Sequence, residues 1–74
     1  MSKLPRISGK EAVSVFECLG FQVVRQKGSP VVLRKGEVGC VIPLHQEVAA
    51  GTLRSAIKQA KLTIEDFLEA YNNQ

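Results

Sequence analysis

Residues 21–44, FQVVRQKGSPVVLRKGEVGCVIPL, decide the fold. Phe21 to Gln26 is aromatic and β-branched, and Val31 to Arg34 continues in valine and leucine. Gly39 to Leu44 makes a third run of the same kind, interrupted near its end by Pro43. Side chains of this type suit a pleated, half-buried surface. Between the runs stand Lys27-Gly28-Ser29-Pro30 and Lys35-Gly36-Glu37, both rich in turn formers. Connections this short cannot cross over a sheet, so they predict an antiparallel meander of three strands. One such sheet cannot stand alone in water and needs helices over one face.

Those helices are legible on either side. Upstream, Ser8 and Glu11 have capping-box spacing, and Ile7 is placed to staple onto Ala12. Ala12, Val13, Phe16 and Leu19 then fall on one helical face, with Lys10, Glu11, Ser14, Glu17 and Cys18 on the other. Gly20 is the expected left-handed residue after the helix. Downstream, Leu53, Ala56, Ile57 and Ala60 form a core stripe in a helix starting near Gly51 or Thr52. Arg54, Lys58 and Lys61 run beside that stripe. Thr63 and Asp66 cap a last helix, with Leu62 set to staple onto Phe67. Its apolar face is Ile64, Phe67, Leu68 and Tyr71, and its wet face Glu65, Asp66 and Glu69. The predicted order is α-β-β-β-α-α, an α+β fold in a single domain over 1–74. The first two helices should cover one face of the sheet, with Val13, Phe16, Leu19, Leu53 and Ile57 in the core.

Length and composition bound the function. A chain of 74 residues with 45% apolar residues can fold as one domain and bury roughly 60% of its surface. No apolar run approaches a membrane span, and Met1-Ser2-Lys3-Leu4-Pro5 does not read as a secretion signal. The two cysteines, Cys18 and Cys40, have no metal-binding spacing, and the cytoplasmic reading keeps them reduced and unbonded. No cofactor motif and no metal site are expected. The charges are sorted: residues 1–61 carry ten bases and four acids (+6), whereas 62–74 carry three acids and no base (−3). A basic body with an acidic tail suggests a polyanionic partner.

The basic set points to phosphate tracking. Arg25 and Lys27 share a face of the first strand by period two, Arg34 and Lys35 follow at the second hairpin, and Arg54, Lys58 and Lys61 share a helix edge. The aromatics read as core, so a base-stacking platform is not expected. His45 is the only histidine and follows the third strand, where a neutral imidazole could serve as a general base or donate to phosphate.

Several stretches together resemble the HicA (YcfA-like) family of toxins. These are residues 3–11 (KLPRISGKE), 19–21 (LGF), 25–29 (RQKGS), 41–45 (VIPLH) and 51–55 (GTLRS). The resemblance implies a fold like that of double-stranded-RNA-binding domains. It implies an mRNA interferase, an endoribonuclease of a toxin–antitoxin system, neutralised by a HicB-like antitoxin. It places the family's catalytic histidine where this chain has Pro30, and matches His45 to a histidine that often ends the third strand. Proline supplies no side-chain acid or base, so cleavage is expected to be weak or lost, with His45 the remaining catalytic candidate. The expected RNA-binding residues are Arg25, Lys27, Ser29, Arg34, Arg54, Lys58 and Lys61, with mRNA or other single-stranded RNA as ligand. The alternative is a non-catalytic RNA- or antitoxin-binding module of the same fold. A plain protein-interaction domain with a solubilising basic face is the third reading.

Overall fold

A computed structural model of the chain describes residues 4–25, 28 and 30–73. The elements run α1 (Gly9–Cys18), β1 (Gln22–Arg25), β2 (Val31–Lys35), β3 (Val38–Ile42), α2 (Ala50–Gln59) and α3 (Ile64–Asn72). The strands form one antiparallel sheet in the order β1-β2-β3, the expected meander and the expected α+β order.

Both capping boxes form. Ser8 Oγ accepts from Glu11 N–H at 3.1 Å, and Glu11 returns a carboxylate oxygen to Ser8 N–H at 3.2 Å. Thr63 and Asp66 do the same at 3.1 Å in each direction. Each pair satisfies two backbone donors that the first helical turn leaves without partners. α1 ends as its sequence requires, with Gly20 at φ +98°. Its end is held from the sheet as well, because Lys35 Nζ donates to Leu19 O at 2.9 Å. A cation is favoured at the carbonyl end of a helix, so Lys35 is spent on structure.

The first and third strands are shorter than the sequence suggested, and β2 runs one residue further, to Lys35. β1 loses Phe21, whose ring turns inward against Phe16 at 5.5 Å in an edge-on contact. β3 starts at Val38 and stops before Pro43, which has no N–H for the ladder. The turn between β2 and β3 is two residues, with Lys35 facing Val38 and Gly36 at φ +62°. A glycine with positive φ in the first central position is the twisted hairpin that suits adjacent strands.

One sheet face is the core. Val31, Leu33, Cys40 and Ile42 point inward at period two and meet Ala12, Val15 and Phe16 of α1 and Leu53, Ala56 and Ile57 of α2. α3 lies outside this layer and enters it through Phe67, whose ring sits 5.4 Å from Phe16. The expected core residues Phe16, Leu53 and Ile57 are buried. Val13 and Leu19 are only partly so, and Val15 takes the central place instead. The stripe of α1 thus runs 12, 15, 16, rotated slightly from the predicted one. Cys18 is exposed and Cys40 buried, with no disulfide between them. Burial pushes the Cys40 thiol up to about 11, so it stays protonated and unreactive near neutral pH.

α2 departs from expectation at both ends. It begins at Ala50 after Ala49, which has no side chain to cap it and so left no signal. It ends at Gln59, so Lys61 does not continue the helix edge. Lys61 instead sits at φ +58°, a left-handed position that glycine fills without strain. Lys61→Gly is therefore expected to stabilise the fold by about 1 kcal/mol, raising the thermal midpoint by roughly 4–8 °C. A midpoint that falls in thermal denaturation would contradict this.

Candidate nucleic-acid interface

The helices cover one sheet face and leave the other open. Simple alternation in β1 would send Val23 inward, Val24 outward and Arg25 inward again. The ladder is irregular there: Val23 faces Leu33, but Arg25 faces Val32 rather than Val31. Val24 is the extra residue of a β-bulge, and beyond it the alternation is reset. Both Val24 and Arg25 are exposed, so Arg25 lies on the open face. On β2 the outward residues are Val32 and Arg34, and on β3 they are Gly39 and Val41. The Arg34 stem passes over Gly39, where an added Cβ would lie 3.3 Å from Leu33 O and 3.4 Å from Arg34 Cγ. Val24 and Val41, at 54% and 42% exposure, are the exposed large hydrophobics among the described residues.

The cations grouped by sequence do not form one surface. Arg25 and Arg34 stand on the open sheet face. Arg54 and Lys58 are exposed on α2, in the layer that covers the opposite face, and Lys61 follows that helix. Lys27 and Ser29 lie outside the described residues. Three of the seven acids stand on α3, where Asp66 and Glu69 line a depression of about 370 Å³ between α1 and α3 beside Cys18 and Leu19.

Pro30 is exposed directly before β2, and Val31 after it is buried. Position 30 is therefore next to the end of β2 where Val31 pairs with Ile42, the last residue of β3. His45 belongs to the same end of the sheet, three residues beyond Ile42. Its main chain is anchored, because its carbonyl accepts from Gly9 N–H at 2.8 Å and Val48 N–H donates to Ile7 O at 2.8 Å. Its side chain is exposed and lines a shallow depression of about 220 Å³ with Ser8, Lys10, Leu44 and Gln46. An adjoining depression of about 250 Å³ shares Lys10 and Leu44 and reaches Val31. Lys10 thus lies between His45 and the start of β2, a placement its position on the polar side of α1 did not reveal. Gly9 was likewise silent in the sequence, since nothing local says that another segment of chain packs against it.

This end of the molecule offers an imidazole, an ammonium and open access. Those are groups that can move a proton or attract a phosphate, without a deep cleft. Among the described residues no group of three or more His, Cys, Asp or Glu side chains could hold a metal ion. No helix among them is long and apolar enough to cross a membrane.

Comparison with known proteins gives one family. The family model described as the HicA toxin of bacterial toxin–antitoxin systems matches residues 9–62, most of the chain and every element from α1 through α2. No curated protein and no solved structure matches closely enough to be counted a relative.

Proposed function

Because the chain belongs to the HicA family of toxins of bacterial toxin–antitoxin systems, we propose that it is a cytoplasmic toxin component that binds mRNA and cleaves it weakly or not at all. The observation that carries this reading is Pro30, exposed at the head of β2 where the family resemblance places a catalytic histidine. RNA cleavage through the 2′-OH needs a group to take that proton, and proline has none. His45 is the remaining candidate base, and Lys10 beside it could neutralise charge on the scissile phosphate. Pro30 equally favours the second reading, a binding module that engages RNA or a HicB-like antitoxin without cutting.

The expected contacts are Arg25, Lys27, Ser29, Arg34, Arg54, Lys58 and Lys61. The described ones divide between the open sheet face (Arg25, Arg34) and the α2 side (Arg54, Lys58, Lys61), and a HicB-like antitoxin competes for these cations through acidic groups of its own. If about four phosphates are neutralised, log K for single-stranded RNA falls with log salt at a slope near −2.8, from ~0.7 per contact. Fluorescence anisotropy across a salt series measures it. A slope near zero, or no binding at ~50 mM salt, where such contacts are strong, removes the RNA-binding reading.

A further inference from the structure

We infer that the open face of the sheet, rather than the edge of α2, is where an RNA strand is held, with Arg25 and Arg34 as its phosphate contacts. This rests on the RNA-binding reading above and adds to it the surface and the two residues.

The outward side chains of the sheet are Gln22, Val24, Arg25, Val32, Arg34 and Val41, and none is acidic. Both cations are arginines, whose planar guanidinium meets a phosphate through two parallel hydrogen bonds. Arg25 reaches this face only because of the Val24 bulge. Arg25 faces Val32, so it and Arg34 are offset by two residues along the ladder and one strand across. That is about 7 Å along and about 5 Å across, on the order of the spacing between neighbouring phosphates of an extended single strand. Arg34 lies on the centre strand, its stem over Gly39, and so reaches the middle of the face.

The valines give the face an apolar floor between the two charges, on which sugars and bases can rest without stacking on an aromatic ring. Contacts of that kind are tolerant of sequence. α2 differs: Arg54 and Lys58 stand among exposed Ala50, Thr52, Ser55 and Gln59, with no exposed large apolar residue beside them. Cations there attract a polyanion from a distance and leave its path undefined. An acidic protein segment with aliphatic side chains would also complement the sheet face. The bulge and the paired arginines favour the regularly spaced anions of a nucleic acid.

The test uses the full chain and a fluorescein-labelled, mixed-sequence single-stranded RNA about one dozen nucleotides long, read by anisotropy over a salt series. Arg25→Ala with Arg34→Ala is expected to weaken binding at least tenfold at low salt and to flatten the slope by about 1.4, twice ~0.7. Arg54→Ala with Lys58→Ala should cost less. All four side chains are exposed, and circular dichroism confirms that each variant is folded. If the sheet pair binds like wild type while the α2 pair fails to bind, the inference is overturned and RNA binding stands; the valine–arginine face then falls to a protein partner. If wild type does not bind, the RNA-binding reading fails first and takes this inference with it.

Discussion

Pro30→His is expected to raise RNA cleavage by at least tenfold and to turn a tolerated protein into an inhibitor of growth when it is expressed. Position 30 is exposed and stands immediately before β2, where the first residue needs no ladder bond. Val31 after it points into the core, so strand alternation aims side chain 30 outward, toward the face that carries Val32 and Arg34. A histidine there would therefore enter solvent without repacking anything, at a cost within ~1 kcal/mol. It would stand one pleat from Val32, which faces Arg25. A strand held by that arginine would bring a 2′-OH within reach of the new imidazole. General acid–base catalysis of this kind is worth roughly 10²–10⁴-fold in rate, far more than the folding cost could cancel. In the same assay His45→Ala should lower whatever activity the wild type has. Efficient wild-type cleavage that survives His45→Ala would refute the account, because neither histidine position would then carry the chemistry. No gain from Pro30→His in a folded protein would give the binding-module reading precedence over the enzyme.

The fold was readable because its determinants are local. Ser8 with Glu11 and Thr63 with Asp66 announce helix starts within four residues, and Gly20 and Gly36 mark points where the chain must turn. The site was readable only in part, for reasons that are not local. Period two assigns Arg25 a face relative to Lys27, but the bulge that sets its actual side depends on how β1 pairs with β2. Helical spacing puts Lys61 in line with Arg54 and Lys58. The end of α2 at Gln59 is set by the chain turning toward α3, and no glycine stands there to announce it. In sequence Lys35 is one more surface charge, and its structural role comes from a bond to Leu19 O that only the folded chain brings within reach. Lys10 comes near His45 because the loop after β3 packs against the start of α1, a contact between segments far apart in sequence.

Gly9→Ala should unsettle the protein more than the same change at any other glycine. By helix propensity alone the change is favourable, since alanine is better than glycine in a helix by about 1 kcal/mol. Space decides the sign the other way. A Cβ on Gly9 would overlap Pro43 O and come within 2.7 Å of Leu44 Cα and 3.0 Å of Pro43 C. These are main-chain atoms, and no rotamer change can withdraw them. They are also held in place, because Gly9 N–H donates to His45 O and Val48 N–H donates to Ile7 O, both at 2.8 Å. Relief requires α1 to lift from the sheet or the 43–45 segment to move, and either breaks one of those bonds in a packed region. Overpacking against backbone is expected to cost about 3 kcal/mol or more. A domain of this size has roughly 4–11 kcal/mol to lose, so the thermal midpoint should fall by more than ~12 °C. Gly51→Ala is the matching control: it also sits in the first turn of a helix, but its added Cβ meets nothing within 4 Å. Propensity then acts alone, and that variant should gain up to ~1 kcal/mol. The pair is read by urea denaturation. Equal effects in the two variants would mean that α1 does not rest on the His45 segment as described. Opposite signs would show that Gly9 is kept small so that the turn carrying His45 can lie against the start of α1.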